Sequence, residues 1–451
     1  MRAAARLTAR PRPAWRSWPS SRADRWALAA VLGLITAAVL AGAALGWLGR
    51  PVRAPAAPLF GHVLPHVGPG TPAALLVAWA VIRWGPGLAD RLPWRRLLAV
   101  AWLAAVAWTF ALALVDGWQR GVAGRLTTPF EYLSEVPGVT DVPAMLRGFT
   151  GRILLGTPDN WAVHVAGHPP GALLVFVGLD RIGLGGGAWA ALLCVLAGCA
   201  AVVAVAVTLR ALGDEPAARS ALPFLVLFPG AVWTGVSADG LFAGVAAGSL
   251  ALLAVGLSRP SRWCLLAAGA GLAACAYLSY GLVLLALPAA AVIVSRARRS
   301  PLLVWAGLGA GTVVATVTAL GFPWWDGYHL VQERYYQGLA SARPYAYWVW
   351  GNLAALAICA GPVAAALLRR AAATVAGTRT PAVLLCLAGL AAALAADLSG
   401  LSKAETERIW LPFAIWLPAA ATLLPARDRR GWLILQAATA LLVNHLVLTS
   451  W

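Results

Sequence analysis

Residues 187–209 read GAWAALLCVLAGCAAVVAVAVTL and contain no charged side chain. A helix of this length spans the roughly 30 Å hydrocarbon core of a bilayer, because a helix rises ~1.5 Å per residue. Lipid offers no partners to backbone amides, and the run shows no alternation of period two, so the sequence predicts a transmembrane helix. Similar runs recur along the chain and leave no gap large enough for a soluble domain.

The composition also indicates a membrane protein. Hydrophobic residues make up 61% of the 451 residues and charged residues only 12%, against roughly 45–50% and 25% in soluble domains. The net charge of +18 comes from arginines dispersed between apolar runs rather than gathered on one face, so no nucleic-acid partner is expected. All six cysteines lie in apolar runs, without disulfide or zinc spacing.

We therefore predict an all-α fold, a polytopic transmembrane helical bundle of about 13 spans with a cytoplasmic amino terminus. The first apolar run is long enough to be a retained helix rather than a cleaved signal. An Arg-rich cytoplasmic tail, 1–25, precedes a single membrane-embedded domain, 26–451. The expected spans are 26–48, 71–85, 97–116, 187–209, 220–236, 238–257, 263–280, 281–296, 301–321, 347–368, 381–397, 409–425 and 432–449.

The arginines set the expected orientation, since cytoplasmic loops retain positive charge. If every second loop between the predicted spans is cytoplasmic, all basic clusters lie on the inner side of the membrane. This alternation of inner and outer loops requires that the chain crosses the membrane once between residues 168 and 209. The apolar stretch 169–183 is therefore either a partial insertion or part of a bent helix start. Acids and histidines collect in the predicted outer loops, which are 49–70, 117–168, 237–240, 322–345 and 397–408.

The outer loop 117–168 is long enough to indicate a functional segment, and its aromatic and aliphatic content argues against disorder. Asp141 is expected to cap a short helix that reaches about Leu154, because an aspartate accepts the free amides of a first helical turn. Such a helix suits the membrane surface. Its apolar face would consist of Met145, Leu146, Phe149 and Ile153.

Short motifs in these loops resemble a known superfamily. They are Glu131-Tyr132-Leu133, Gly167-His168-Pro169-Pro170-Gly171, Ser237-Ala238-Asp239, Arg343-Pro344-Tyr345 and the segment 402–413, SKAETERIWLPF. An acid in the first long outer loop, a membrane-parallel helix and a His-Pro-Pro element resemble the GT-C superfamily of polyprenyl-phosphate-sugar-dependent glycosyltransferases. The likeness is closer to actinobacterial multi-pass proteins of that type. The chain departs from the superfamily by two extra early spans and by separated acids in place of an Asp-Glu pair.

The resemblance implies a cell-envelope enzyme of the cell membrane with an extracytoplasmic active site. It would transfer a sugar, with inversion, from a polyprenyl-phosphate donor to a hydroxyl of a glycan or lipid acceptor. A loop carboxylate would be the general base, since a partly dry site raises its affinity for protons. Glu131 is the first candidate, because it follows the preceding span at the interval seen in the superfamily, and Asp141 is the second. The plain alternative is a loop glutamate that faces water.

Six further residues are candidates for substrate binding. Arginine, lysine or a protonated histidine would stabilise the departing lipid phosphate, and Lys403 is the only lysine of the chain. Structural alternatives exist, since charges at a helix end often form a solvated cap and Asp239 needs an arginine partner if it does not face a cavity. The candidates are His168, Asp239, Arg343, Lys403, Glu407 and Arg408.

No cofactor is expected. His164 and His168 would suit a divalent metal only if both lay on one helix. Pro169 and Pro170 oppose such a helix, which weakens the case for a metal site without excluding a divalent metal. A rival function is a transporter or flippase of lipid-linked or small solutes, and a third is a membrane protein without catalysis. Transporters favour repeated halves and polar residues at mid-membrane depth, whereas this sequence has no internal repeat and its acids lie in loops. The hypothesis of an enzyme requires that the candidate site residues of the outer loops lie together in one site.

Overall fold

A computed structural model describes residues 18–296 and 301–450 of the chain. Nearly all of its regular structure is helical, as predicted, and one small antiparallel sheet pairs Gly61–Val63 with Val447–Thr449. Residues 1–17 of the predicted tail, together with Arg298 and Arg299, lie outside the described residues.

The first half of the chain forms the helices that carry the long loop and the central packing. They are α1 (Arg22–Trp47), α2 (Thr71–Arg91), α3 (Trp94–Ala113), α4 (Val142–Gly148), α5 (Val163–Ala166), α6 (Pro170–Arg181), α7 (Gly187–Ala211), α8 (Glu215–Val226), α9 (Ala231–Thr234) and α10 (Ala238–Ser258), with strand β1 (Gly61–Val63). The loop between α3 and α6 also contains a π-helix, Gln119–Ala123, and short 3-10 helices, Leu114–Asp116, Arg125–Thr127, Tyr132–Ser134, Val136–Gly138 and Thr150–Arg152.

The second half packs around α7 and α10 and returns the chain to the loop region. Its helices are α11 (Arg262–Leu278), α12 (Ala286–Arg296), α13 (Leu303–Ala319), α14 (Trp324–Gln337), α15 (Tyr345–Ala360), α16 (Val363–Thr374), α17 (Pro381–Leu398), α18 (Thr406–Ile409), α19 (Leu411–Ala414) and α20 (Ala426–Leu446), followed by strand β2 (Val447–Thr449). The 3-10 helices here are Tyr280–Leu285, Leu339–Ala342 and Leu417–Leu423.

The chain is a multi-pass membrane protein by the length and apolar character of its helices. Six helices of the described residues are long and apolar enough to cross a bilayer, and up to eight spans result if two bent helix pairs each count as one. The bent pairs are α13 with α14, at 75°, and α15 with α16, at 102°. The predicted number of thirteen spans is therefore not confirmed.

Prolines and the short length of several apolar runs account for the difference between the predicted number of spans and the number of long apolar helices. The predicted span 220–236 is divided into α8 and α9 around Pro229, and the predicted span 409–425 is divided into short helical turns that contain Pro412 and Pro418. Proline lacks the amide that an uninterrupted helix requires. The last three residues of the predicted span 432–449 form β2 instead.

Small residues allow the central helices to pack closely. A Cβ atom on Gly244 of α10 would lie 2.0 Å from the carbonyl oxygen of Ala197 in α7. A Cβ atom on Gly309 of α13 would lie 2.0 Å from the carbonyl oxygen of Leu266 in α11. Backbones in membrane proteins approach this closely where glycine and alanine face each other, because hydrocarbon itself does not drive the helices together.

The stretch 169–183 forms α6, which starts and ends against the same loop. His168 at its start has its ring centre 5.8 Å from that of Tyr132, and Arg181 at its end donates to the carbonyl oxygen of Thr140 at 3.0 Å. In this region α7 is long and apolar enough to cross a bilayer. The two alternatives left open by the sequence, a partial insertion and a bent helix start, stay predictions.

The ion pairs of the described residues each join residues that the charge pattern assigns to one side. Asp24, buried near the start of α1, bonds to Arg369 and Arg370 of α16, all on the predicted inner side. Asp116 bonds to His66 and Arg125, all on the predicted outer side. The helix α1 thus begins within the predicted tail, and the side assignment is consistent with the packing.

Candidate active site

Arg408 lies at the centre of a buried ion network. Its guanidinium donates to the carboxylate of Asp239 and, at 2.8 Å, to Oε2 of Glu405. Asp239 stands in the first turn of α10, whose N-cap is Ser237, while Arg408 lies on the short helix α18. The network therefore fastens two predicted outer loops that are far apart in sequence.

The charges of this network support one another. Burial alone acts to lower the pKa of Arg408, but Asp239, Glu405 and Glu131 together raise it, so the guanidinium stays charged. Burial alone acts to raise the pKa of Glu405, and Arg408 and Arg343 lower it instead. The contribution of Glu131 to the raised pKa of Arg408 indicates that the loop carboxylate lies on the side of this network.

Arg343 extends the network to a third loop. It donates to Oε1 of Glu405 at 3.0 Å and to the carbonyl oxygen of Lys403 at 2.7 Å. Lys403 is itself buried, donates from Nζ to the carbonyl oxygen of Ala340 at 3.1 Å, and lies 4.9 Å from the centre of the Tyr336 ring. The ammonium group has further hydrogens to donate, since a lysine carries three.

Glu131 is buried rather than facing water, which disfavours the plain alternative of a solvated loop glutamate. Only 5% of its surface is exposed, and Oε2 lies 3.3 Å from Nδ1 of His164 on α5. The adjacent Tyr132 is buried, and its pKa is raised by burial first and then by the charges of Asp239 and Glu131. The carboxylate of Glu131, the imidazole of His164 and the phenol of Tyr132 thus lie beside the Arg408 network.

His168 is held as a neutral imidazole. Burial lowers its pKa to about 4, and Nδ1 must carry the proton because it lies 2.7 Å from the carbonyl oxygen of His164. The other nitrogen, Nε2, is then an acceptor. In this arrangement Nε2 is suited to accept from a hydroxyl group, and the binding of a phosphate by His168 stays a prediction.

Glu407 lies in the same segment but faces a different loop. It is fully buried, and Oε1 accepts from the backbone amide of Phe60 at 2.8 Å. Oε2 has no hydrogen-bond partner within the described residues. Burial raises the pKa of Glu407 to about 7. The hydrogen bond between Phe60 and Glu407 brings the predicted outer loop 49–70 next to the segment that carries Arg408.

Asp141 is exposed and caps α4 as predicted. Its Oδ1 accepts from the backbone amide of Ala144 at 3.0 Å. The helix is shorter than expected and ends at Gly148. The prediction that its apolar face lies on the membrane surface is wrong, because Leu146, Phe149 and Ile153 are buried in the protein core.

The segment before α18 is held in a strained backbone conformation. Ala404 and Glu405 both have positive φ, at 69° and 64°. A left-handed conformation costs roughly 1–2 kcal/mol for each residue with a side chain. Asn352 holds the segment by donating to the carbonyl oxygen of Ser402 and accepting from the amide of Ala404. Strain of this kind is concentrated at functional sites.

Sequence reasoning did not select Glu405, His164 or Arg334 as binding or catalytic residues. Glu405 could have been found from its place between Lys403 and Arg408. Arg334 on α14 is 9% exposed, and no hydrogen bond or ion pair of its side chain is present among the described residues. Its signal in the sequence is an arginine on a side from which the charge pattern excludes most arginines.

A cavity of about 280 Å³ lies between the long outer loop and α6, and neither Glu131 nor the Arg408 network lines it. It is lined by Leu133, Ser134 and Phe176 among others, and the ring of Tyr132 stacks on Phe176 at 5.4 Å. Among the described residues, no group of three or more histidine, cysteine or acidic side chains is arranged to hold a metal ion.

No protein-family model matches the chain, and no curated protein matches it significantly. Some solved structures are similar to part of the chain. Two crystal structures of ArnT from Cupriavidus metallidurans match, one in the apo state and one bound to undecaprenyl phosphate, with 15% and 16% sequence identity and a TM-score of 0.46 in both cases. The matches cover 72% and 71% of this chain, and 60% and 59% of the ArnT chains.

The chain spans about 60% of the length of these structures. At this identity and TM-score the likeness carries no information on activity or on single residues.

Proposed function

We propose that the chain is a cell-envelope glycosyltransferase that moves a sugar from a polyprenyl-phosphate donor to an acceptor hydroxyl on the extracytoplasmic side. The observation that carries the proposal is the meeting of Glu131 with the Arg408 network in a buried site. Five predicted outer loops contribute to it. A carboxylate base beside fixed cations is the arrangement that displacement of a phosphate by a hydroxyl requires.

Glu131 acts as the general base in this proposal. Its carboxylate takes the proton of the acceptor hydroxyl, the oxygen forms a bond to the anomeric carbon, and the bond from that carbon to the lipid phosphate oxygen breaks. Support comes from burial of the carboxylate and its 3.3 Å contact to His164, which fixes its orientation. His168 assists by accepting a hydrogen bond from a substrate hydroxyl through Nε2.

Arg334 and Lys403 bind the departing phosphate. Nε of Arg334 is buried without a hydrogen-bond partner among the described residues, which is costly, so Arg334 favours a site that an anion completes. Its neighbour on α14, Tyr335, accepts from the backbone amide of Lys403 at 2.7 Å, which brings the two cations to one region. Arg408, in contrast, already holds two carboxylates and is assigned a positioning role.

The decisive experiment measures sugar transfer by the full chain in proteoliposomes with a radiolabelled polyprenyl-phosphate sugar. The expected result is labelled acceptor together with free polyprenyl phosphate in equal amounts. Movement of unmodified labelled lipid between leaflets, without transfer from any such donor, would support the transporter and contradict the enzyme.

A matched pair of variants tests the phosphate site. Arg334→Gln is expected to raise the KM for the donor by at least about tenfold, since one charge-assisted contact to a phosphate contributes about 1.5–3 kcal/mol. The control is Arg120→Gln, which removes an exposed arginine from another predicted outer loop, 117–168. Equal KM values in the two variants would refute the role of Arg334.

A further inference from the structure

A large basic cavity lies among the predicted cytoplasmic ends of the helices. Its volume is about 1010 Å³, and it opens where α3 begins and where α7, α10 and α12 end. Its polar lining consists mainly of Arg95, Arg96, Arg210, Arg259 and Arg296. None of these residues belongs to the acid and arginine cluster described above.

The positive charge of the cavity is largely uncompensated. Arg210 bonds to Glu215 at 2.9 Å and lies 4.5 Å from the centre of the Trp94 ring. Within residues 18–296 and 301–450, no carboxylate lies at ion-pair distance from the other four arginines. The remaining parts of the chain, 1–17, 297–300 and 451, contain no aspartate or glutamate.

The wall of the cavity is aliphatic as well as basic. Leu98 of α3, Val207 of α7 and Val255 of α10 lie between the arginines. Trp94 stands at the same level, as tryptophans do where a membrane meets water. A free inorganic anion would gain nothing from this aliphatic surface, whereas a lipid with an anionic headgroup satisfies both parts of the cavity.

We propose that this cavity binds an anionic phospholipid of the cytoplasmic leaflet, with its phosphate among the arginines and the upper part of an acyl chain against the aliphatic wall. Basic pockets between transmembrane helices on this side of a membrane are suited to such headgroups. The general excess of arginine in cytoplasmic loops does not explain the convergence, because that rule concerns sidedness and not a shared cavity. The site is independent of the proposed transferase activity.

The test uses the purified full chain in detergent and native mass spectrometry with phosphatidylglycerol or phosphatidylcholine. The cavity variant is Arg95→Gln with Arg96→Gln. The matched control is Arg427→Gln with Arg430→Gln, which removes two exposed arginines from α20 on the same predicted side but outside the cavity lining. All proteins are first compared by circular dichroism, so that loss of folding is distinguished from loss of binding.

Phosphatidylglycerol is expected to bind the wild type in preference to phosphatidylcholine. The cavity variant should bind it at least about tenfold more weakly, since each arginine near an anionic lipid contributes about fivefold, and the control should change by less than twofold. Equal binding of both lipids, or equal losses in both variants, would overturn the proposal. Displacement of the lipid by millimolar inorganic phosphate would assign the cavity to a free anion instead.

Discussion

Removal of Arg408 should separate its role in folding from its role in function. In Arg408→Met, Asp239 loses the guanidinium that holds its buried carboxylate, while Glu405 keeps its contact to Arg343. Taking one partner from a buried ion pair costs about 3–5 kcal/mol, because the other charge stays in a poorly solvated place. We expect a loss of that size in the free energy of unfolding.

A second substitution should restore most of this loss. Asp239→Asn removes the stranded charge and keeps nearly the same shape, so the double variant should recover about 2–3 kcal/mol relative to Arg408→Met. The free energies can be measured by SDS-induced unfolding in micelles, followed by circular dichroism. Transfer activity should stay absent in the double variant, because the network that positions the segment 402–408 is gone.

Two outcomes would refute this reasoning. The first is a loss below about 1 kcal/mol in Arg408→Met, which is typical of exposed pairs and would mean that water reaches the network. The second is a double variant as unstable as the single one, which would show that packing of the arginine side chain, rather than its charge, stabilises the site.

Two further changes test neighbouring parts of the account. Asp141→Ala should lose about 1 kcal/mol of stability through the α4 cap and retain transfer in the proteoliposome assay, whereas a complete loss of transfer at intact folding would return the general base to Asp141. Glu407 has its pKa raised from 4.5 to about 7, so the folded state holds a proton that the unfolded state releases. Stability should therefore fall as pH rises from about 4.5 to 7, and Glu407→Gln should reduce that slope; an unchanged slope in thermal unfolding would contradict the burial of this carboxylate.

Much of the architecture follows from simple physical rules in the sequence. The long apolar runs predict α7 and α10 closely, because lipid favours a helix as the spanning structure. The arginine pattern also predicts which loops share one side of the membrane, and the ion pair of Asp239 with Arg408 joins two loops that it assigns to the same side. Charge sidedness needs no knowledge of packing, since it depends on the membrane alone.

Features that depend on tertiary packing could not be obtained in this way. Glu131 and Asp141 are both acids of one loop, and only the packing of α5 shows that the first is buried against His164 while the second is exposed. Which ring nitrogen of His168 carries the proton depends on a backbone carbonyl that no spacing rule identifies. The divided helices around Pro229 and Pro418 have apolar sequences that resemble single spans, so hydropathy alone does not distinguish them from uninterrupted helices.

The most direct test of the central claim is the initial rate of sugar transfer by Glu131→Gln compared with the wild type, in proteoliposomes with matched protein content. The substitution keeps the size of the side chain and removes its ability to take a proton. We expect the rate to fall by about 10²–10⁴, the usual contribution of a general base, with donor binding unchanged. A rate within a factor of about three of the wild type would contradict the assignment of Glu131 and of this cluster as the catalytic site.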